Sequence, residues 1–452
     1  MAGSILADLR NKGPSGLNTL TAADAAAKLR AGEITSVQLV RDCLARIEAR
    51  EGDVGAWAFI DPDHAIAQAV ALDGVPARSA LHGVPVGIKD ILDTVDMPTG
   101  HGSAIYRGDR PGKDSACVAA LRQAGLVILG KTVTTEFASP YPAGTRNPHD
   151  PTRTPGVSSS GSAAAVADFM VPLANGTQTG GSVIGPSASC GVYGYKASLN
   201  GLDRGGIRHL KPTLDTLGLF ARQVPDLALM RAVSNGKPAP APLELPAGTL
   251  PRVGFCRSFG WDQARPPVVA ALETAARVLA DAGAKVADVA LPQYLADIEP
   301  DFAIISGVEG ARALAKEAAE HLDGFNPWSR ERYEMAMTVS EERYREALGK
   351  TARGRQVLGD LFADFDVFIT PSIPDEAPQD LTSVHPSVFN RLWTHLYAPA
   401  VYLPLFTGPN NMPVGFQVIG LEHSDDETLA FADWIDGRVR HAVGDGAVVP
   451  AG

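Results

Sequence analysis

Cysteine is scarce in this sequence, and its four cysteines stand far apart along the chain. None of them belongs to a CxxC pair, so the spacing predicts neither a disulfide framework nor a zinc knuckle. The histidines likewise lack the HxxxH and HExxH spacings of metal sites. We therefore expect no metal and no other cofactor.

Basic residues are also too few for a surface that binds nucleic acid. The chain has 40 Lys and Arg against 51 Asp and Glu, a net charge of −11, whereas the phosphate backbone is held mainly by excess cations. No apolar run approaches the ~20 residues of a membrane span. Residues 1–16 lack the basic and apolar regions of a signal peptide. These absences predict a cytoplasmic protein that binds neither nucleic acid nor membrane.

The chain is long and apolar enough for a sizeable core, since 45% of its 452 residues are hydrophobic. Segments typical of strands alternate with helical segments, and this alternation predicts an α/β fold. We interpret residues 1–452 as one domain. Its expected parts are N-terminal helices at about 20–75, a core at about 80–235, a proline-rich connection at about 237–251, and a C-terminal lobe at about 252–440.

Particular elements follow from hydrophobic periodicity and from glycine boundaries. Strands are predicted at 83–90 and 126–129, on either side of a helix at 115–125. After the proline-rich segment, a strand, a helix and a second strand are expected to form a βαβ unit. These three elements are predicted at 252–256, 266–282 and 285–289, and a further buried strand is predicted at 367–371.

Residues 125–132 match the phosphate-loop pattern GxxxxGK[ST], which would indicate a nucleotide-binding protein. The four residues between the glycines are bulky and apolar, so they favour a strand, whereas a phosphate cradle needs a flexible loop after a strand. We therefore reject the match. Nucleotide binding stays open only as a rival function, which a titration with ATP would reveal.

Two serine-glycine clusters, at 154–162 and 176–182, are the most informative feature of the chain. Ser159 or Ser160 can cap a helix over 161–169, which advances ~15 Å. An extended return over 171–175 covers a similar ~16 Å. The chain therefore comes back to where it began, and we expect Ser182 beside Ser158.

Such clusters can supply hydroxyls and free backbone N–H groups, which an acyl-transfer site needs. By composition alone they are as typical of flexible linkers, although ordered sequence adjoins both clusters. The chain contains no GxSxG motif, so a Ser-His-Asp hydrolase has no local support.

Three separated motifs in a fixed order, at 83–90, 155–165 and 176–182, resemble the amidase signature family of serine amidohydrolases. The similarity extends over nearly the whole chain. It implies the amidase signature fold, in which a mixed, mainly parallel, twisted central sheet is covered by helices on both faces.

The resemblance also implies a Ser-Ser-Lys triad. Lys89 falls on the family lysine, Ser158 on a bridging serine held in a cis peptide, and Ser182 on the acylated nucleophile. The oxyanion hole falls on the backbone around Ser182, at Thr179, Gly180 and Gly181. Lysine can act as a base only when neutral, so Lys89 must be buried enough to lower its pKa, whereas an ordinary lysine is exposed.

The chain departs from the common family pattern beside these residues. Gln178 stands where aspartate is usual, and Gly185 stands where a malonamidase-type branch has arginine. Ser159 is expected to brace the bridging serine. Without a guanidinium at 185, a substrate carboxylate would lack a bidentate partner near the nucleophile, so we expect a small neutral substrate.

These features predict hydrolysis of a linear aryl or alkyl amide, or of a carbamate as in a urethanase. The alternatives are an A-type amidotransferase subunit that acts within a complex, and a scaffold without activity. The N-terminal helices are a candidate surface for a homodimer. Aromatic residues from several segments could line the pocket, namely Tyr141, Tyr193, Trp393, Tyr397 and Tyr402.

Overall fold

A computed structural model describes residues 16–238, 240–384 and 386–449. The stretch 1–16, where we expect no signal peptide, lies outside the described residues except for Gly16. Within the described ranges, no helix is both long enough and apolar enough to cross a bilayer.

The helices begin and end as follows: α1 Ala22–Ala31, α2 Ser36–Val54, α3 Pro62–Asp73, α4 Ala116–Gln123, α5 Ser160–Ala167, α6 Ile184–Cys190, α7 Val224–Ser234, α8 Pro266–Asp281, α9 Gln293–Asp297, α10 Asp301–Ala313, α11 Ala315–His321, α12 Pro327–Ala336, α13 Glu341–Leu361, α14 Arg391–His395 and α15 Asp425–Val443. The strands are β1 Trp57–Ile60, β2 Pro85–Lys89, β3 Val127–Thr132, β4 Leu173–Gln178, β5 Tyr193–Lys196, β6 Thr216–Ala221, β7 Arg252–Cys256, β8 Lys285–Val289, β9 Val367–Thr370, β10 Ala400–Thr407, β11 Pro413–Ile419 and β12 Ala447–Val448.

All of these strands belong to one mixed sheet, in the order β1-β3-β2-β4-β6-β5-β10-β11-β9-β7-β8, with β12 beside β10. Four parallel pairs form two blocks, in which β2 pairs with β3 and β4, and β7 pairs with β8 and β9. The short strand β12 also pairs parallel with β10. The strands between these blocks pair antiparallel. The predicted mixed α/β sheet is therefore confirmed, but parallel pairing predominates only in the two blocks. A short connection such as residues 408–412 suits antiparallel neighbours, whereas parallel ones need a crossover.

Helices cover both faces of the sheet, as predicted. In β3, Ile128 belongs to one core cluster, whereas Val127 and Leu129 belong to another. Successive side chains of a strand point to opposite faces, so both faces of β3 are buried. Helices α4, α7, α8 and α15 contribute to the first cluster, and α2, α3 and α5 contribute to the second.

The predicted βαβ unit is confirmed as β7, α8 and β8, whose two strands pair parallel. The rejected phosphate-loop match lies largely in β3, a fully buried strand. The ammonium of Lys131 at its end donates to the carbonyl of Pro98 at 3.0 Å and to the hydroxyl of Thr99 at 2.7 Å. Asp90 lies 3.3 Å from the same ammonium, so this lysine is occupied by structural partners.

The proline-rich connection contains no helix or strand over its described residues 240–249. Strands from before and after it lie side by side, since β5 pairs with β10. This pairing brings the C-terminal strands against the part of the sheet that carries the serine clusters.

Candidate active site

Strand β2 is buried along its whole length and ends at Lys89, whose side chain has no solvent exposure. The backbone N–H of Lys89 donates to Oδ1 of Asn175 in β4 at 3.0 Å, which fixes the strand end. Burial holds the pKa of Lys89 well below its usual value, and the charge of Lys211 lowers it further, while Asp215 raises it. The environment therefore favours the neutral amine.

Three hydroxyl groups surround the Lys89 amine. Its Nζ lies 2.8 Å from Ser158 Oγ, 2.9 Å from Ser159 Oγ and 2.8 Å from Thr177 Oγ1. Ser159 donates its own proton to the carbonyl of Thr177 at 3.2 Å, so its oxygen can accept from lysine. A neutral amine that donates to Ser159 and Thr177 keeps its lone pair for the proton of Ser158.

The second serine cluster returns to the first, as the helix and strand lengths predict. The backbone N–H of Ser158 donates to Oγ of Ser182 at 3.4 Å. The structure thus brings Lys89, Ser158 and Ser182 together. The expected cis peptide at Ser158 is wrong, because the described residues contain no cis peptide bond. A trans peptide is the lower-energy form, and it already brings the Ser158 hydroxyl to Lys89.

Ser159 has a different task from the one its position suggests. It occupies the N-cap position of α5, but its side chain makes no capping hydrogen bond. The hydroxyl is instead engaged by Lys89 and Thr177. The predicted cap by Ser159 is therefore wrong, and the predicted bracing of Ser158 stays a prediction.

The loop that carries Ser182 is held from beneath by Gln178, the last residue of β4. Its Oε1 accepts from the backbone N–H groups of Val183 at 2.9 Å and Ile184 at 3.0 Å. Its Nε2 donates to Thr394 at 3.1 Å. A neutral amide thereby satisfies three partners without burying a charge.

Backbone donors in this loop are available for an oxyanion. In the described part of the chain, the N–H groups of Gly180, Gly181 and Ser182 have no acceptor. A Cβ at Gly181 would lie 3.1 Å from both Asn390 Nδ2 and Ser387 Oγ, so this position has little room for a side chain. Thr179, at the start of the loop, donates its hydroxyl proton to Asp215.

The loop forms one wall of a cavity of ≈ 450 Å³. Ser182 faces this cavity, while Lys89 and Ser158 lie behind it in the protein interior. The lining residues are Ala138, Pro140, Val157, Thr179, Gly180, Gly181, Ser182, Lys211, Phe302, Ala303, Ser306, Trp328, Arg332, Val384, Pro386, Ser387 and Arg391.

Gly185 does not line this cavity, so it gives no reason to expect a neutral substrate. It lies buried in α6, and a Cβ built on it would meet only Val157 Cγ2, at 3.4 Å. The five aromatic residues expected around the pocket are likewise absent from its walls, since Tyr193, Trp393 and Tyr402 are core residues. Phe302 and Trp328 supply the aromatic surface instead.

Several residues of the site could not be recognised from the sequence, because nothing in their local sequence distinguishes them from ordinary residues. Thr177 lies within the second serine-glycine cluster, and Asn175 lies directly before it. Their contacts with Lys89 depend on the pairing of β2 with β4. Lys211 and Arg332 reach the cavity from segments far from the motifs. Only the folded chain brings them to Ser182.

Comparisons with known proteins identify the family of the chain. The family model for amidases matches residues 38–429. The A-type subunit of glutamyl-tRNA(Gln) amidotransferase from Chloroflexus aggregans is 34% identical over 469 residues, which cover 92% of this chain and 96% of that protein. Its counterpart from Salinispora arenicola is 32% identical, with coverages of 94% and 98%.

Solved structures show the same similarity. A crystal structure of an amidase is 29% identical with a TM-score of 0.85, over 93% of this chain and 100% of the other. Peptide amidase from Stenotrophomonas maltophilia is 25% identical with a TM-score of 0.80, over 93% and 97%. The matched residues include the lysine strand and both serine clusters, and the chain therefore belongs to the amidase family.

Proposed function

We propose that this protein hydrolyses the C–N acyl bond of a small linear amide or carbamate through an acyl-enzyme on Ser182. The observation that carries the proposal is the 2.8 Å contact between Lys89 Nζ and Ser158 Oγ. Ser182 adjoins Ser158 and faces the cavity. These contacts support the order of a buried base, a relay hydroxyl and a nucleophile.

In the acylation step, neutral Lys89 accepts the proton of Ser158 while Ser158 accepts the proton of Ser182. The Ser182 oxygen attacks the carbonyl carbon, and the oxyanion receives hydrogen bonds from the backbone around Thr179, Gly180 and Gly181. The proton then returns from the Lys89 ammonium through Ser158 to the leaving nitrogen. The C–N bond breaks, and the amine departs.

In the deacylation step, a water molecule replaces the amine. It loses a proton through the same relay and attacks the acyl carbon, and Ser182 regains a proton as the ester bond breaks. Amides and carbamates share this acyl chemistry, so both remain within the proposal.

Fluorophosphonate labelling tests the nucleophile directly. Intact mass measurement should show one adduct on the wild-type chain and none on Ser182→Ala, which changes a single hydroxyl. Ser162→Ala, another buried serine on α5 away from the cavity wall, is the matched control and should still be labelled. Equal labelling of wild type and Ser182→Ala would overturn the assignment.

A second candidate function is that of an A-type amidotransferase subunit. The identity to proteins of this kind favours it. Such a protein would depend on a complex for its activity. Steady turnover of a simple amide by the purified chain alone would argue against this alternative. Turnover only after addition of the other amidotransferase subunits would support it. The N-terminal homodimer stays a prediction.

A further inference from the structure

Two cationic side chains on the cavity wall form no ion pair within the described part of the chain. Lys211 and Arg332 both line the cavity that Ser182 faces. Neither forms an ion pair with any carboxylate of the described residues, although ion pairs are frequent elsewhere in this protein. Arg332 donates to the carbonyl of Ala303 at 3.3 Å, and its guanidinium lies 5.8 Å from the Trp328 ring centroid.

The carboxylates nearest to Lys211 are engaged by other donors. Asp215 accepts from Thr179 and from the backbone N–H groups of Leu210 at 3.1 Å and Lys211 at 2.8 Å. Glu309 accepts from the N–H of Thr213 at 3.0 Å and from its hydroxyl at 2.7 Å, and also from Tyr344 at 2.9 Å. Neither carboxylate forms an ion pair with the Lys211 ammonium. Burial lowers the pKa of Lys211, and the charges of Asp215 and Glu309 raise it only in part.

Arg391, the third basic residue of the cavity wall, differs from the other two because it forms an ion pair. Its Nη2 lies 2.6 Å from Oε1 of Glu299, so a carboxylate of the protein already compensates its charge. The described lining contains no Asp or Glu side chain. The unpaired positive charge is thus concentrated on the side of Lys211 and Arg332.

Lys211 and Arg332 lie where the main cavity meets a smaller recess. Together with Ser306 and Trp328, they line both the main cavity and a smaller apolar recess of ≈ 50 Å³ behind it. A substrate attacked by Ser182 and reaching across the cavity would place its far end at this junction. A guanidinium matches the two oxygens of a carboxylate, and an ammonium supplies a second charge-assisted donor.

We propose that the substrate is an amide or carbamate that carries a carboxylate, bound by Lys211 and Arg332 at the junction of the cavity and the recess. The inference rests on the proposed hydrolysis at Ser182 and replaces the expectation of a neutral substrate. Cations that are partly withdrawn from water without a partner are unfavourable until an anion binds. The carboxylate would supply that partner.

Two pairs of substrates test the proposal with and without the charge. Glutaryl-4-nitroanilide and pentanoyl-4-nitroanilide differ at the end of the acyl chain, and 4-acetamidobenzoate and acetanilide differ on the leaving amine. We expect kcat/KM to favour the carboxylate in at least one pair by about tenfold or more, the range of a charge-assisted hydrogen bond. Equal rates within both pairs would overturn the inference.

The variants Lys211→Gln and Arg332→Gln should each lower that preference by about tenfold to a hundredfold, mainly through KM. Lys316→Gln removes the same charge from an exposed position on α11 and should leave the preference unchanged. Each preference is a ratio of two rates measured with one variant at one pH, so a change in the pKa of Lys89 cancels from it, and an unchanged urea midpoint shows that the variant is folded. A preference that survives both cavity variants would contradict the assignment of the site.

A readout without turnover separates this inference from the proposed function. Glutarate should slow fluorophosphonate labelling of Ser182 in the wild type but not in Lys211→Gln, whereas pentanamide should act equally on both. If Ser182 is labelled and glutarate gives no protection, the carboxylate site is wrong while the nucleophile stands. If Ser182 is not labelled at all, the proposed function itself fails.

Discussion

The hydroxyl of Thr179 donates a hydrogen bond to the carboxylate of Asp215, which joins the nucleophile loop to the segment before β6. This carboxylate raises the pKa of Lys89, whereas Lys211, four residues earlier in the same segment, lowers it. One short segment therefore contacts the loop that carries Ser182, and its charges shift the pKa of Lys89 in both directions. Its charges should be visible in the pH dependence of the reaction.

The first prediction concerns the wild-type pH profile. Lys89 accepts a proton only when neutral, and burial lowers its pKa well below 10.5. We therefore expect kcat/KM to rise with pH and to level off well before an ordinary lysine would be deprotonated. Lys89→Met should lose about 10²–10⁴-fold in kcat, the usual contribution of a general base. A flat profile together with an active Lys89→Met would contradict the role of Lys89.

The second prediction compares two charge removals that act in opposite directions. Asp215→Asn removes a negative charge, so the pKa of Lys89 should fall and the rising limb should move to lower pH. Lys211→Gln removes a positive charge, so the limb should move to higher pH.

Rates with a neutral amide measure these shifts without interference from a substrate charge. The control is Lys316→Gln, at an exposed position on α11, and the rising limb of its pH profile should not move. Shifts of the same sign in both variants would show that the charges do not act on Lys89.

The third prediction concerns Gln178, which supports the nucleophile loop. Gln178→Leu leaves the N–H groups of Val183 and Ile184 without their acceptor in a buried place. Each such loss costs about 1–3 kcal/mol, so urea unfolding should show destabilisation of about 2–5 kcal/mol. The displaced loop should also lower kcat more than it raises KM.

Thr394→Val provides a graded control for this test. It removes only the partner of Gln178 Nε2, and should cost about 1 kcal/mol. If Gln178→Leu were no more destabilising than Thr394→Val, the two backbone contacts would not support the loop.

Local patterns were sufficient to predict much of the fold and the meeting of the two serine clusters, whereas the role of Lys89 came from the resemblance to a family. The apolar strand that ends at Lys89 and the matched lengths of α5 and the return to β4 are properties of short segments, so Ser158 and Ser182 could be placed side by side. The antiparallel middle of the sheet was not predicted. Strand direction there depends on which distant strands pair, as β5 does with β10.

The walls of the cavity were predicted poorly for a related reason. Gly185 lies three residues after Ser182 in sequence, but it is not among the lining residues and lies behind Val157, which is one of them. Trp328 and Arg332 come from α12, about 150 residues after the nucleophile, and reach it through packing between helices. Sequence proximity therefore indicates the reacting groups but not the groups that select the substrate.

The last prediction tests this view of Gly185. Gly185→Ala adds a methyl group 3.4 Å from Val157 Cγ2, an ordinary contact, within α6. The helix should gain about 0.5–1 kcal/mol. The value of kcat/KM should change less than about twofold, because the contact with Val157 has an ordinary length and Gly185 itself does not line the cavity. Gly156→Ala is the contrasting variant, since Gly156 has φ +104° and its Cβ would lie 2.7 Å from Pro186 Cα. It should lose stability and activity. If Gly185→Ala lost activity without losing stability, Gly185 would belong to the substrate site after all.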